Sequence, residues 1–371
     1  MKIALVHDQL QEFGGAERVI IELKKIFPKA DIYTSFYNFD TLGHHRSEIK
    51  KWKIIPSWAQ YVPFFKKLYS PLRFLAPKIW ESFDFSKYDI VITSSGWYMC
   101  KGIKINSKTK NICYLHHPPR YLYNYETAVE WQKYKLVKIY ANIINHNLRI
   151  WDYLSSQRVD YFIANSIETQ KRIKKFYRKN SYVIYPPVDI PKENDISIDS
   201  NGKYFITVSR LARAKHIDLL IEAANKTKIN LKIVGDGRDE KYLKSIAKKN
   251  IEFLKNIDDK KLKHLLKNAK AFLFASVDEE FGIAPVEAMG YGLPVIAFSS
   301  GGLKETVKDG YNGFLFSKLN TVSLIEKINK LNSLTKEQYL DMRKKARSES
   351  LKYSKNVFKK NILSFLSKIK N

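Results

Sequence analysis

Apolar and polar positions divide the chain into short apolar runs separated by stretches with helical spacing. Residues 2–6, "KIALV", read as a buried strand. A glycine-containing loop, "EFGGAER" (12–18), follows, and then the helical pattern "RVIIELKKIF". Strand, glycine turn and helix open a nucleotide-binding α/β unit. Four more strands are expected in the first half: "YDIVITSS" (88–95), "KNICYLHHPP" (110–119), "VDYFIANS" (159–166) and "SYVIYPPVD" (181–189). The fourth of these five strands runs into a Ser-capped basic helix, "SIETQKRIKKFY". A polar stretch, 191–203, reads as a boundary. A second series then repeats the alternation. Its strands are "YFITVSR" (204–210), "NLKIVGDG" (230–237), "IEFLK" (251–255), "AFLFAS" (271–276) and "LPVIAF" (293–298). Helices are expected at 216–226, near 238–249, at 258–269 and near 285–291, and the tail "KNVFKKNILSFLSKIK" reads as a basic amphipathic helix. Such alternation predicts parallel sheets covered on both faces. The expected fold class is therefore α/β, with Rossmann-like domains at 1–188 and 200–350 and a final helix in 351–371.

Two segments interrupt this regularity, 45–80 and 121–158. Both interleave Lys and Arg with aromatic and aliphatic residues. In the first, Trp52, Trp58, Phe64, Phe65, Lys66 and Lys67 fit a surface that rests on anionic lipid. The charge balance points the same way. Of 371 residues, 65 are Lys or Arg and 37 are Asp or Glu, a formal net charge of +28. Such a surplus draws the chain towards anionic partners, although lysine-rich background composition is an equally good source of it. Cys100 and Cys113 form no CxxC pair, which argues against a zinc site or a disulfide framework and fits a reducing cytosol. No run reaches the ~20 apolar residues of a membrane-spanning helix. The expected location is the cytoplasm, peripheral on the inner face of the cell membrane.

The richest stretch is 278–302, "DEEFGIAPVEAMGYGLPVIAFSSGG". Glu279 and Glu287 lie eight positions apart, with Gly282 and Pro285 between them. The glycine and proline break a continuous helix. "FGIA" is expected as a loop and "PVEAMGYG" as a helix starting at Pro285, with Glu287 in its first turn. Loop amides and a helix N-terminus together make an anion site. Carboxylates on either side of it suit a ligand with hydroxyls flanking phosphates, because an ionised carboxylate only accepts hydrogen bonds. A nucleotide sugar has that layout. Upstream, Gly14 and Gly15 let backbone come close to phosphate or acceptor, and Gly235 ends a strand in "VGDG".

"EFGIAPVEAMGYGLPVIA", "VSRLARAKHIDLLIEA", "VGDG", "GGAER" and "CYLHHPPRY" together resemble the retaining glycosyltransferases of family 4, of the GT-B fold. Within that family the wording is most similar to bacterial O-antigen and surface-polysaccharide mannosyltransferases. The resemblance implies an acceptor-binding first domain and a donor-binding second domain facing across a cleft. The last helix would cross back to the first domain. Glu279 would face the donor sugar and Glu287 the ribose, while backbone amides of Phe281, Gly282, Ile283 and Ala284 would meet sugar and phosphate. Arg210 and Lys215 would neutralise the departing diphosphate. His116 would hydrogen-bond the sugar, and Arg120 would bind an acceptor phosphate. Gly14, Gly15 and Gly235 would line the donor site. The implied reaction moves mannose from GDP-mannose to a lipid-linked saccharide, with retention and with no enzymic nucleophile.

No Asp-x-Asp triplet occurs, so no metal or other cofactor is expected, and no Walker loop is present. A UDP-sugar donor stays open. So, from another class, does a basic nucleic-acid-binding protein, although no recognised nucleic-acid module occurs and nucleic acid is not the expected partner.

Overall fold

The computed structural model describes residues 1–127, 134–196 and 202–369. These residues form two compact units, each with its own parallel sheet. The first unit holds residues 1–125, 134–187 and 358–369; the second holds 126–127, 188–196 and 202–357.

In the first unit the strands are β1 (Ile3–His7), β2 (Asp31–Thr34), β3 (Ile54–Pro56), β4 (Ile90–Ser95), β5 (Lys110–Leu115), β6 (Tyr161–Ala164) and β7 (Ser181–Val183). Their order is β3-β2-β1-β4-β5-β6-β7, so the chain reverses direction across the sheet between β1 and β4. Helices are α1 (Gly15–Ile26), α2 (Arg46–Ile49), α3 (Phe65–Leu68), α4 (Ala76–Trp80), α5 (Lys135–Gln157) and α6 (Ile167–Tyr177). Side chains alternate across the sheet. Leu5, Ile92 and Tyr114 pack with Val19, Ile20 and Leu23 of α1, whereas Ala4, Val6 and Val91 pack with Phe36, Phe65 and Trp80 on the opposite face.

The second unit has β8 (Phe205–Val208), β9 (Leu231–Val234), β10 (Ile251–Leu254), β11 (Ala271–Phe274), β12 (Val295–Phe298) and β13 (Gly313–Phe316), ordered β10-β9-β8-β11-β12-β13. Here the direction reverses between β8 and β11. The helices are α7 (Ile217–Thr227), α8 (Glu240–Ile246), α9 (Asp259–Asn268), α10 (Ile283–Gly290), α11 (Leu303–Thr306), α12 (Thr321–Asn332) and α13 (Lys336–Leu351). The last helix, α14 (Lys355–Lys368), returns to the first unit, where Phe358, Ile362, Phe365 and Leu366 are buried beside Leu5 and Ile92.

Several expectations need correction. Strands β2, β3 and β13 were not anticipated; two are four residues long and one is three, too short for a clear alternating pattern. The loop expected at 12–18 is half helix, because Glu17 accepts the Gly14 N–H at 2.9 Å and closes the first turn of α1 around Gly15. Helix α10 starts at Ile283, not Pro285, with Gly282 as its left-handed cap (φ 86°). Pro285 is its third residue, where a missing N–H costs nothing. Glu287 is therefore beyond the first turn. Finally, Phe65 is no surface residue: it is fully buried against Phe36. Trp52 is half-buried and packs against the core on the α1 side.

Candidate functional site

Ligands of open α/β sheets bind beyond the C-terminal ends of strands, where the strand order reverses. In each unit the predicted polar residues gather at that place.

In the second unit the loops after β8 and β11 carry Arg210, Lys215 and Glu279. The Lys215 ammonium pairs with the Glu279 carboxylate and donates to Ser276 Oγ at 3.2 Å. Ser276 Oγ in turn donates to Glu279 Oε2 at 2.7 Å. Ser276 is fully buried, and it also stands 3.3 Å from the Ala214 carbonyl, which ties the two loops together. A carboxylate held by an ammonium and a hydroxyl is already engaged as an acceptor; it is not a free nucleophile. Ser276 went unnoticed in the sequence. Its only signal was a polar residue ending an apolar strand three positions before Glu279.

Glycines let backbones touch here. At Gly301 (φ +57°) a Cβ would lie 2.0 Å from the Glu279 carbonyl. The adjacent Gly302 N–H donates to that same carbonyl at 2.8 Å. At Gly235 (φ +147°) a Cβ would lie 1.9 Å from the Ser209 carbonyl, so only glycine lets "VGDG" run against the strand that delivers Arg210. That gives Gly235 a packing reason for being glycine. Arg210 is exposed, and Lys215, Glu279 and Glu287 are half-buried. Phe281 is buried edge-on against Tyr353 at 5.2 Å, which leaves its backbone as the part that can meet a ligand. Ile283 and Ala284 supply the first two amides of α10, which have no partner within the helix.

In the first unit Gly14 caps α1 and Gly15 is its exposed first residue. His116 follows β5 and is buried at 8% exposure; its N–H donates to the Ser95 carbonyl at 2.8 Å. Arg120 is half-buried at the start of a short 3-10 turn, Arg120–Leu122. Three residues that the sequence reading passed over lead away from His116: Ser94 touches it, His7 touches Ser94, and Glu17 touches His7. A fourth, Asp8, organises the neighbouring loop. Its carboxylate accepts the Gly96, Tyr98 and Cys100 N–H groups at 2.8, 2.9 and 2.8 Å. Burial pushes the Cys113 thiol up to about 12 and raises Cys100 as well, with Asp8 adding to the latter. Both cysteines are structural thiols rather than nucleophiles.

Residues 13–192 match the family described as Glycosyltransferase Family 4, and residues 190–349 match Glycosyl transferases group 1. The chain belongs among the two-domain glycosyltransferases. Among relatives of this glycosyltransferase, an alpha-1,3/1,6-mannosyltransferase ALG2 of Dictyostelium discoideum is 26% identical over 63% of this chain and 64% of its own length. A GDP-Man:Man(3)GlcNAc(2)-PP-Dol alpha-1,2-mannosyltransferase of the same organism is 24% identical over 70% of this chain and 59% of its own. Both alignments cover less than two thirds of the relative. In fold, the chain is similar to Anabaena Alr3699/HepE, whose structure was solved with UDP-glucose. The TM-score is 0.71 at 20% identity, over 99% of this chain and 100% of that one.

One surface of the first unit stands apart. Helix α5 is apolar on two sides. Inward, Leu148, Ile144 and Trp151 pack into the core beside the buried polar residues Asn145, Asp152, Ser155 and Ser156. Outward, Leu136, Ile139, Ile143, Ile150 and Leu154 are 50–82% exposed. At ~100° per residue these five fall within about 60° of the helix circumference. Lys135 and Lys138 flank them. The neighbouring segment adds exposed Tyr61, Phe64 and Leu68 with Lys67, and it is fixed to α5 by Arg73, which donates to Asn145 Oδ1 at 3.1 and 3.0 Å. No helix among the described residues is long and apolar enough to cross a membrane.

Proposed function

We propose that the chain is a retaining mannosyltransferase that takes mannose from GDP-mannose and places it on a lipid-linked saccharide in surface-polysaccharide synthesis. The observation that carries this reading is the Lys215–Ser276–Glu279 cluster where the strand order reverses in the second sheet, beside the start of α10. A diphosphate at that helix start would draw Lys215 and Arg210, whose charge offsets the negative charge that builds on the leaving oxygen. Glu279 would then accept from the mannose hydroxyls, Glu287 from the ribose, and His116 would hydrogen-bond the transferred sugar. Gly14, Gly15 and the amides of residues 281–284 would come close to donor oxygens, and Arg120 would hold an acceptor phosphate. The acceptor hydroxyl attacks on the face the diphosphate leaves, and a diphosphate oxygen takes its proton. The similarity to a GDP-Man:Man(3)GlcNAc(2)-PP-Dol alpha-1,2-mannosyltransferase supports both donor and acceptor class.

Calorimetry with GDP, UDP, ADP, GDP-mannose and UDP-glucose, without added metal, tests the donor. We expect binding of GDP and GDP-mannose alone. Glu287→Ala should weaken GDP by roughly tenfold through loss of a charge-assisted ribose hydrogen bond. Preference for UDP would replace the donor assignment, and equal affinity of wild type and Glu287→Ala would remove Glu287 from the site.

The acceptor would be met at the cytoplasmic face of the membrane. There the outward stripe of α5, with its lysines, would lie on anionic lipid. Phosphatidylglycerol vesicles should co-sediment the wild type, and an L136D/I143D variant should bind at least tenfold more weakly. Added salt should weaken the wild type further. Equal sedimentation of the two proteins would reject α5 as the docking element.

A further inference from the structure

His116 belongs to a continuous polar chain inside the first unit. The Gly14 N–H donates to Glu17 Oε2 at 2.9 Å. Glu17 Oε1 lies 3.4 Å from His7 Nε2, and His7 Nδ1 lies 3.0 Å from Ser94 Oγ. Ser94 Oγ lies 2.8 Å from His116 Nε2. The sheet register makes this possible: His7 and Ser94 are opposite one another on β1 and β4, and Ser94 is opposite Tyr114, two residues before His116. His7 is 1% exposed and Ser94 fully buried, so water cannot stand in for a missing partner.

With the His7 ring neutral, proton counting gives the chain a direction. An ionised carboxylate only accepts, so His7 Nε2 carries a proton towards Glu17. In a neutral ring His7 Nδ1 then accepts, and Ser94 must donate to it. The single hydroxyl proton is used, so Ser94 Oγ accepts from His116 Nε2. We infer that Glu17, His7 and Ser94 are positioning residues that fix His116 as the Nε2–H tautomer. In that tautomer Nδ1 is the accepting nitrogen of the ring, the character that a hydrogen bond from a sugar hydroxyl requires. The catalytic half of this inference rests on the glycosyl-transfer reading above; the tautomer half does not.

The arrangement makes a signed prediction. In Glu17→Gln the side-chain oxygen is still claimed by the Gly14 N–H, which turns the NH₂ group towards His7 Nε2. That nitrogen must now accept, the direction of every later hydrogen bond reverses, and His116 becomes the Nδ1–H tautomer. The test is a long-range ¹⁵N–¹H correlation spectrum of the full chain carrying ¹⁵N-labelled imidazoles. We expect Nε2–H at His116 in the wild type, Nδ1–H in Glu17→Gln, a tautomer mixture in Ser94→Ala, and recovery of Nε2–H in Ser94→Thr. The same His116 tautomer in wild type and both disrupting variants would overturn the inference, as would Nδ1–H in the wild type. Nucleotide release from GDP-mannose gives the second readout. Glu17→Gln and Ser94→Ala should lower kcat on the order of tenfold or more while the donor KM stays within about twofold, because the wrong tautomer spoils a step without spoiling binding. A matched rise in KM instead would mark the chain as a binding scaffold and reject the positioning role. Absence of turnover in the wild type would count against the donor assignment alone, since the spectra decide the chain by themselves.

Discussion

Lys215→Met is expected to lower kcat for nucleotide release by about 10²–10³-fold, the usual effect of removing one preorganised group from a developing negative charge. The stem of methionine fills the same space, so packing over Phe274, where the ammonium sits 5.6 Å from the ring centre, is largely kept. What disappears is the charge tied to Glu279 through both a direct ion pair and the Ser276 bridge. Glu279→Gln should also cost turnover, by less, because an amide oxygen still accepts from a sugar hydroxyl. The double variant should fall little below Lys215→Met alone, since residues in direct contact act as a unit. Single-turnover assays at saturating donor would check this. A fall of less than about threefold in Lys215→Met would show that the leaving group is stabilised elsewhere.

The second large effect concerns stability. Asp152 and Lys101 are both fully buried and paired with each other in the first unit. Asp152 Oδ2 also accepts the Tyr123 and Tyr177 hydroxyls at 2.7 and 2.8 Å, and the Lys101 ammonium donates to the Asp152 carbonyl at 3.2 Å and Ser155 Oγ at 3.3 Å. Burial, with the Asp152 charge second, pushes both phenols up, so they remain donors to the carboxylate. Asp152→Ala would leave a buried ammonium without a counter-charge and two phenols without an acceptor. The expected loss is about 3–5 kcal/mol, read as a fall in thermal midpoint on the order of 10 °C. A paired Lys101→Met, Asp152→Leu replacement should recover much of that loss, because it removes both charges at once. A single-variant loss below about 1 kcal/mol would mean that water reaches the pair. The same pair accounts for two polar residues on the inward face of α5: Asp152 and Ser155 serve Lys101 there, beside Ile144, Leu148 and Trp151, which pack into the core.

How much of this was legible beforehand follows from the range over which each feature is decided. Local pattern was enough for both α/β series, because each apolar run and each amphipathic helix carries its own periodicity. The motif residues 209–215 and 279–287 were legible for a related reason: each lies within one loop-and-helix segment, where glycines and a proline dictate backbone shape. The start of α10 was read two residues late, since Gly282, in the left-handed region, can cap a helix that the Pro285 signal placed further on.

The missed features join residues distant in sequence. His7 and Ser94 come from β1 and β4 and His116 from just beyond β5, and only the parallel register brings them into line. Ser276 bridges two loops whose contact depends on β8 and β11 being neighbours. Phe65 looked like its exposed neighbour Phe64, because a basic-aromatic run has no periodicity to say which ring turns inward. By itself, then, the sequence determined the two parallel α/β series and the residue types beyond their strands. The tertiary structure alone decided which polar groups meet, because hydrogen bonds between strands depend on register and strand order, and neither is written in any local stretch of chain.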